Sequence, residues 1–347
     1  MSPIVRVLVV DDSAYVRKVF KQMLSRSPFL EVVGTARDGE EALELAAELQ
    51  PDVVTVDLNM PAMNGVSFVR AQMARRPVPI LVISIASSAN EEVLAALDAG
   101  AVDFIQKPTA LATDRLLEIS DDLIEKVKGA AEARPQQVVG RTVVDAVRPG
   151  TAAKRSELAT DLVVIGTSTG GPQALRLVLG QIPADFPVPI AMVLHMPVGY
   201  TAMYAAKLDD LAQLTVIEAR GGEAVAAGTA YLAPAGQHLT FTRDGSGIVR
   251  TRLGLYPLDT PHRPAVDVLF QSAAEIYGSR VLGLVMTGMG NDGREGAAWI
   301  KAKGGRVVTE SEESCVVYGM PRSVVEAGLS DASVPLDQLA RRIMDLL

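Results

Sequence analysis

The sequence has few side chains for redox or metal chemistry: its 347 residues include one cysteine, one tryptophan and three histidines. The single cysteine, Cys315, excludes an internal disulfide and is typical of a reducing compartment, so we expect a cytoplasmic location. Acidic residues outnumber basic ones, and the formal net charge of -8 argues against nucleic acid or an anionic membrane as a partner. No apolar run approaches the roughly 18–20 residues of a membrane-spanning helix, so we expect no membrane insertion.

The order of strand-like and helix-like segments predicts two α/β domains. Hydrophobic residues make up 48% of the sequence, which is enough for two cores of ordinary size. Residues 1–128 alternate strand and helix patterns, residues 129–157 lack a long periodic pattern, and residues 158–347 contain a second alternating series. Such alternation is typical of a doubly wound parallel sheet with helices on both faces. We therefore predict two doubly wound domains joined by a linker over 129–157.

In the first domain, charged and hydroxyl side chains follow the predicted strands. These strands are expected at Val5–Val10, Val32–Ala36, Val53–Asp57, Ile80–Ser84 and Asp103–Ile105, and a last helix at Thr113–Lys128. Asp11 and Asp12 follow the first strand, and the third strand ends at Asp57. Because the carboxyl ends of parallel strands meet at one edge of a sheet, these carboxylates converge and need a cation such as Mg²⁺. With a lysine and a hydroxyl nearby, one of them can accept a phosphoryl group.

Three strings give this domain a specific resemblance: Val9-Val-Asp-Asp-Ser, Val56-Asp-Leu-Asn-Met-Pro-Ala-Met-Asn-Gly and Asp103-Phe-Ile-Gln-Lys-Pro. On these strings the domain resembles a response-regulator receiver domain, which has a flavodoxin-like fold. The resemblance implies that a histidine kinase phosphorylates Asp57, that Ser84 and Lys107 contact the phosphoryl group, and that Phe104 is the switch aromatic. The Mg²⁺ ligands that it implies are Asp11, Asp12, Asp57 and the backbone carbonyl of Asn59.

The second domain begins with a predicted strand that runs into a glycine turn and a serine. Gly166, Ser168 and Gly170 satisfy the G-x-S-x-G pattern of a nucleophile elbow, which exposes a hydroxyl beside a backbone N–H. A serine nucleophile needs a base near neutral pH, and imidazole is suited to that role. The scarcity of histidine therefore narrows the choice of base to three side chains, those of His195, His238 and His262.

Position along the chain favours one histidine and one aspartate as partners of the serine. His195 follows an apolar run and is expected at a strand end beside the strand that carries the serine. His238 and His262 are expected in loops with structural roles, although His262 together with Arg263 can line a substrate groove. Asp292 lies in a glycine-rich loop after another apolar run, and the small residues let its backbone approach the site. It is the best candidate for the carboxylate that orients the imidazole.

A second resemblance rests on five strings: Ile165-Gly-Thr-Ser-Thr-Gly-Gly, His195-Met-Pro, Tyr231-Leu-Ala-Pro, Thr287-Gly-Met-Gly-Asn-Asp-Gly and Val317-Tyr-Gly-Met-Pro. On these strings the second domain resembles the methylesterase domain of CheB, the chemotaxis protein-glutamate methylesterase. The resemblance implies a triad of Ser168, His195 and Asp292, with oxyanion donors on the backbone near Thr169 and Met289. It also implies chemoreceptors as substrates, a chemotaxis histidine kinase as phosphoryl donor, glutamine deamidation as a second activity, and ester hydrolysis without a cofactor.

Other interpretations compete with this one. Gly288, Gly290 and Gly293 satisfy G-x-G-x-x-G after a predicted strand, and Glu310 lies about twenty residues further on, as in a dinucleotide site. A phosphorylation-controlled binding module with an inert triad is a rival without enzymatic activity. A DNA-binding regulator is disfavoured because no basic recognition helix is visible. Cys315 has no basic neighbour in sequence and is interpreted as a buried small residue.

Overall fold

The computed structural model describes residues 4–85, 90–107, 113–133 and 160–347. The chain divides into two compact units, Met1–Arg141 and Thr142–Leu347. The predicted domain boundaries stay predictions, because most of the expected linker lies outside the described residues. No helix in the described parts of the chain is both long and apolar enough to span a membrane.

The first unit is built on a five-stranded parallel sheet with the order β2-β1-β3-β4-β5. Its strands are β1 (Val5–Val10), β2 (Leu30–Ala36), β3 (Val53–Asp57), β4 (Ile80–Ile85) and β5 (Asp103–Lys107). Its helices are α1 (Ala14–Leu24), α2 (Gly39–Leu49), α3 (Gly65–Arg75), α4 (Asn90–Asp98) and α5 (Thr113–Glu132). α1 contacts α5, whereas α2, α3 and α4 contact one another in succession, so the helices form two groups. The strand order changes direction beside β1, which places a site at the carboxyl ends of β1 and β3.

Two of the helices in this unit differ from the sequence prediction. α3 was not predicted, because Asn64 and Gly65 resemble a turn; the Asn64 side chain in fact caps the helix by accepting a hydrogen bond from the backbone of Ser67. A side chain at Gly65 would come within 2.3 Å of the carbonyl oxygen of Asp57, so glycine lets this helix begin directly beside the strand end. α5 continues to Glu132, four residues beyond the predicted end, because helix-favouring residues extend into the expected linker.

The second unit contains a seven-stranded parallel sheet with the order β14-β13-β12-β6-β7-β9-β8. Its strands are β6 (Leu162–Thr167), β7 (Ile190–Leu194), β8 (Thr215–Glu218), β9 (Thr229–Leu232), β12 (Val281–Val285), β13 (Arg306–Glu310) and β14 (Ala332–Val334). Its helices are α6 (Gly171–Leu179), α7 (Thr201–Leu211), α8 (Val266–Tyr277), α9 (Arg294–Ala302), α10 (Met320–Glu326) and α11 (Leu336–Asp345). β6, β7 and β12 are fully buried, as expected of central parallel strands. The prediction of two doubly wound parallel-sheet domains is confirmed.

A separate antiparallel hairpin was missed by the sequence analysis. It consists of β10 (His238–Arg243) and β11 (Val249–Gly254), paired from His238 opposite Gly254 to Arg243 opposite Val249. β10 contacts α8, and the backbone N–H of Phe241 donates to the hydroxyl of Ser272 on that helix. The hairpin therefore covers one face of the helix that begins beside the predicted active site.

Candidate functional site

The predicted nucleophile lies in a tight turn between β6 and α6. The backbone N–H of Ser168 donates to the carbonyl of Thr287 at 3.0 Å, which ties the turn to the end of β12. Gly170 has a φ of +80°, and a Cβ there would lie 2.6 Å from the Cβ of Val316. Only glycine fits this position, because both the left-handed conformation and the contact exclude a side chain. The half-buried Ser168 is thus held in a tight turn directly after a buried strand.

Three adjacent strands bring the predicted triad to one edge of the sheet. β6 pairs with β7 on one side and with β12 on the other, so Ser168 follows the middle strand, His195 follows β7, and Asp292 lies in the loop after β12. The Nε2 atom of His195 lies 2.8 Å from Oδ2 of Asp292. Both side chains are about 10% exposed, so this ion-pair geometry is largely shielded from water.

The Asp292 carboxylate is fixed by backbone as well as by histidine. The N–H groups of Val266 and Asp267, in the first turn of α8, donate to its two oxygens at 2.8 and 2.9 Å. Burial by itself would raise the pKa of Asp292, but the hydrogen bond and charge of His195, with these two N–H donors, outweigh it and hold the pKa below its usual range. The helix N-terminus further favours the ionised form. Asp292 is therefore an anion suited to orienting an imidazole.

The tautomer of His195 follows from these contacts. Because an ionised carboxylate only accepts hydrogen bonds, the neutral imidazole carries its proton on Nε2, facing Asp292. The Nδ1 atom is buried and has no hydrogen-bond partner among the described residues. A buried nitrogen acceptor without a partner is costly unless a donor arrives during function. Nδ1 is accordingly the atom that can take a proton from the serine hydroxyl.

The two predicted oxyanion residues flank the serine on separate loops. Thr169 follows Ser168 directly and is buried, and Met289 follows Gly288, where a Cβ would lie 2.9 Å from the Cβ of Ser168. The loop after β12 thus passes within van der Waals distance of the nucleophile only because residue 288 is glycine. The backbone N–H groups of Thr169 and Met289 therefore stay the predicted oxyanion donors.

A buried glutamate that the sequence analysis did not place in the site supports this arrangement. Glu310, 0% exposed at the end of β13, accepts a hydrogen bond from the backbone N–H of Thr287 at 2.8 Å. The Thr287 hydroxyl donates to the backbone carbonyl of Thr169. The backbone carbonyl of Thr287 accepts a hydrogen bond from the hydroxyl of Thr167. Burial raises the pKa of Glu310 to about 7. The pattern of the sequence carries no signal for this network, because its members come from three separate segments.

The two remaining histidines differ in their surroundings. His262 lies in the loop before α8, as predicted, and its ring stacks on that of His195 with 4.0 Å between centroids. His238 was predicted to lie in a loop, and this is wrong: it begins β10 and is completely buried. Its Nδ1 accepts from the backbone N–H of Ala265 at 3.2 Å and its Nε2 lies 3.1 Å from the carbonyl of Pro257, so the ring is neutral. Burial, with the nearby charge of Arg263, lowers the pKa of His238.

The receiver unit has its own cluster of carboxylates at the ends of β1 and β3. One oxygen from each of Asp11, Asp12 and Asp57 lies within 4.8 Å of the others. The Nζ atom of Lys107 lies 2.6 Å from Asp11 and 2.7 Å from Asp57. Hard oxygen donors at this spacing fit a divalent cation such as Mg²⁺, so the residues present are compatible with the predicted metal.

The electrostatics of this cluster depend on burial. Burial raises the pKa of Asp57, and the hydrogen bond and charge of Lys107 offset only part of that effect. Burial also opposes the charged form of Lys107, but its hydrogen bonds to Asp11 and Asp57 outweigh this and raise its pKa. The backbone N–H of Asn59 donates to Asp57, while its own side chain is exposed. The cluster therefore contains one cation and an excess of negative charge, which favours metal binding.

The other predicted receiver residues lie on the two neighbouring strands. Ser84 is fully buried at the end of β4, and Phe104 is 2% exposed on β5. β4 pairs with β5, with Ser84 opposite Gln106 and Val82 opposite Phe104. The Nζ atom of Lys126 donates to the carbonyl of Phe104 at 2.8 Å. The predicted hydroxyl and aromatic thus lie on adjacent strands, two residues apart in register.

Comparison with known proteins agrees with both halves of this description. Residues 163–343 match the CheB methylesterase family, and residues 7–119 match the response regulator receiver domain. The chain belongs to the CheB methylesterase family. It is therefore a methylesterase, a hydrolase, with a response regulator receiver domain at its N-terminal side.

Curated relatives and a solved structure match over most of their length. A Myxococcus xanthus protein named protein-glutamate methylesterase/protein-glutamine glutaminase 5 is 51% identical over 97% of this chain and 96% of its own length. A Geobacillus kaustophilus protein named protein-glutamate methylesterase/protein-glutamine glutaminase is 45% identical over 99% of both chains. The crystal structure of the Thermotoga maritima CheB methylesterase catalytic domain is 42% identical and covers 55% of this chain and all of its own, with a TM-score of 0.53.

Membership of the CheB family and the structure together overturn the dinucleotide interpretation. In that interpretation Glu310 would bind a ribose hydroxyl at the surface. Its carboxylate instead is fully buried and accepts hydrogen bonds from Thr287 and Ser314. Cys315 is 4% exposed, which confirms its interpretation as a buried residue, and burial raises the pKa of its thiol.

Proposed function

We propose that this chain hydrolyses glutamate methyl esters on methyl-accepting chemoreceptors and deamidates glutamine side chains of the same receptors. In this proposal it acts in the cytoplasm, where it adjusts receptor sensitivity during chemotaxis adaptation. The support for the chemistry is the printed names of the Myxococcus xanthus and Geobacillus kaustophilus relatives, which combine both activities. Receptors are the expected substrates because of the resemblance to the chemotaxis family.

The observation that carries the proposed mechanism is the hydrogen bond between His195 and Asp292 beside the Ser168 turn. His195 Nδ1 takes the hydroxyl proton as the oxygen of Ser168 forms a bond to the ester carbonyl carbon. The imidazolium that results is stabilised by Asp292, which stays ionised. Backbone N–H groups near Thr169 and Met289 stabilise the oxyanion, and one such donor is commonly worth about 3–4 kcal/mol.

Collapse of the tetrahedral intermediate completes the first half of the reaction. The imidazolium returns its proton to the leaving methoxide oxygen, the bond between carbon and that oxygen breaks, and methanol departs from an acyl-enzyme. A water molecule, deprotonated by the same Nδ1 atom of His195, then attacks the acyl group and restores Ser168 and a free glutamate. With a glutamine side chain the leaving group is ammonia. No metal takes part in these steps.

The receiver unit supplies regulation in this proposal. A chemotaxis histidine kinase donates a phosphoryl group to Asp57, and this raises the activity of the catalytic unit. Asp11, Asp12, Asp57 and the carbonyl of Asn59 would hold Mg²⁺, which neutralises phosphoryl charge when bound. Lys107 is already within hydrogen-bond distance of Asp57 and is suited to binding a phosphoryl oxygen. Ser84, on the neighbouring strand, is the proposed second contact of the phosphoryl group. Phe104 is the proposed switch aromatic, whose packing changes when Asp57 is phosphorylated.

Methanol release from a methylated receptor fragment tests the catalytic part. The full chain is compared with Ser168→Ala and with Ser246→Ala, a control in the exposed turn between β10 and β11. We expect release from the wild type and the control, and a loss of at least about 1,000-fold in Ser168→Ala, because removal of a triad nucleophile leaves only binding and oxyanion stabilisation. Equal release from all three proteins would exclude Ser168 as the nucleophile, and no release above background would favour a binding module.

A further inference from the structure

His262 covers one face of the proposed base. The two imidazole rings stack with 4.0 Å between centroids and 26° between planes. The side chain of His195 is 10% exposed, whereas His262 is exposed. His262 therefore separates the face of the base from solvent and presents its own outer face to any molecule that enters the site. The sequence analysis favoured a structural role for His262, or with Arg263 a place in a substrate groove, but gave it no part in the proton transfer.

Stacking provides a constraint that the triad hydrogen bond does not. The His195 ring has one hydrogen bond among the described residues, from Nε2 to Asp292, and its Nδ1 has no partner there. A ring held by its bond to Cβ and by one hydrogen bond can still turn about the line that joins these two points. A second ring at stacking distance limits the tilt and so fixes the direction in which Nδ1 points.

The segment that directly follows His262 is anchored by backbone hydrogen bonds. The carbonyl of Arg263 accepts from the backbone N–H of Gly236 at 2.9 Å, and the N–H of Ala265 donates to buried His238. The next two N–H groups, those of Val266 and Asp267, donate to Asp292. The stacking ring and the orienting carboxylate are thus parts of one short, hydrogen-bonded segment. Their relative position is set by the backbone of residues 262–267 rather than by a long side chain.

The stacking of His262 on His195 depends on the charges of the two rings and of the groups around them. The charged and titratable groups on the packed elements are Asp292 after β12, Asp267 on α8, Arg263 in the loop and neutral His238 on β10. When His195 takes the serine proton, its cation lies between Asp292 and the face of His262. A neutral aromatic face is favourable to a cation at this distance, whereas a second imidazolium would repel it.

We propose that His262 is a positioning residue for the general base. Its neutral ring holds the His195 imidazole in the plane in which Nδ1 meets the hydroxyl of Ser168, and its exposed face forms a wall of the substrate cleft. This inference rests on the proposed function, since it assigns His262 a part in the same proton transfer. It predicts that a flat ring at residue 262 is needed for the rate of serine attack more than for binding of the acyl donor.

A fluorophosphonate probe tests this without a receptor. Attack by Ser168 forms the bond from Oγ to phosphorus, breaks the bond from phosphorus to fluorine, and passes the hydroxyl proton to His195. Labelling rates of the full chain are compared with His262→Ala, His262→Phe and the loop control Tyr256→Ala, a residue that is 77% exposed. We expect the limiting rate in His262→Ala to fall about 10- to 100-fold with little change in half-saturating probe concentration.

The phenylalanine variant separates positioning from a general loss of structure. It keeps a flat ring and cannot be protonated, so we expect labelling within about threefold of wild type at pH 8 and a less steep loss of rate toward pH 5. Labelling of His262→Ala at the wild-type rate, or of His262→Phe as slowly as His262→Ala at pH 8, overturns the inference alone. A wild-type chain that is not labelled at Ser168 overturns both the inference and the proposed nucleophile.

Discussion

The buried carboxyl group of Glu310 supports the predicted site indirectly, through Thr287. It accepts hydrogen bonds from the backbone N–H of Thr287 and the hydroxyl of Ser314. Thr287 in turn accepts from the backbone N–H of Ser168. Burial raises the pKa of Glu310 from 4.5 to about 7, so the folded protein favours the protonated form. At neutral pH the burial of this carboxyl group therefore lowers the stability of the folded protein. Its hydrogen bond nevertheless holds the backbone of Thr287 in place.

Replacement of Glu310 by glutamine is expected to change the pH dependence of stability. The unfolded chain loses the proton of Glu310 above pH 4.5, whereas the folded chain keeps it to about pH 7, so the stability of the wild type falls between these values. Glu310→Gln cannot ionise and keeps an oxygen acceptor for Thr287. We expect it to be as stable as wild type at pH 4.5 and more stable at pH 8, by up to about 3 kcal/mol. Urea unfolding at both pH values measures this, and equal stabilities at pH 8 would contradict it.

At the scale of elements, the hairpin and the loop before α8 determine the geometry around the base. His238 on β10 links the backbone at Ala265 and Pro257 through its two ring nitrogens. Its neutral form is required, because Nδ1 accepts a hydrogen bond. The His238 side chain therefore connects the hairpin to the loop that carries His262.

A change in pH is expected to loosen this tie. Burial lowers the pKa of His238 below 6.5, so below pH 6.5 the unfolded chain binds a proton at this ring that the folded chain does not. The wild type therefore loses stability as the pH falls from 6.5 through the folded pKa. His238→Asn keeps an acceptor near the Nδ1 position but cannot titrate there. We expect its midpoint of thermal unfolding to be lower than that of wild type at pH 7.5, and the gap to narrow at pH 5.

The control for this experiment is Ser246→Ala, in the exposed turn between β10 and β11. Because this substitution removes no group that titrates between pH 5 and pH 7.5, it is not expected to change the gap between the two pH values. A gap for His238→Asn that is constant from pH 7.5 to pH 5 would show that His238 does not titrate as proposed.

Elements also show where sequence patterns succeed. The buried strands β6, β7 and β12 are short apolar runs. The sequence pattern predicts a strand from Leu162 and apolar runs at Ile190–Leu194 and Val281–Met286, each within one residue of the strand found. The hairpin was missed although both strands alternate between apolar and polar residues, as in the run His238-Leu-Thr-Phe-Thr-Arg, because each run is short and contains only two large apolar residues. Its formation depends on packing against α8, which is a tertiary contact.

At the scale of the whole molecule, both units bring polar and charged side chains together at the carboxyl edge of a parallel sheet. In the receiver unit this edge holds three carboxylates and Lys107, and in the catalytic unit it holds the proposed triad. Two cores and two sites in one chain are suited to regulation, because one site can change the equilibrium that controls the other.

Phosphorylation is expected to couple the units. With acetyl phosphate and Mg²⁺, we expect methanol release by the wild type to rise about 5- to 150-fold, the usual range of such couplings. Asp57→Asn removes the phosphoryl acceptor, so the ratio of activity with and without acetyl phosphate should be one. Glu44→Gln, at an exposed position of α2, should respond like wild type. Removal of Mg²⁺ with a chelator should abolish the stimulation in wild type, and stimulation that survives in Asp57→Asn would exclude this residue as the acceptor.

The sequence by itself determined the two sheets, the strand ends and the short list of candidate residues. Apolar runs bounded by glycine and charge define buried strands, and three histidines leave few choices of base. Tertiary structure alone decided that Nε2 of His195 faces Asp292, that Glu310 holds Thr287, and that His262 stacks on His195. These contacts join residues from 23 to 97 positions apart. No local pattern encodes them, because they depend on which strands become neighbours and on how closely glycine lets two loops approach.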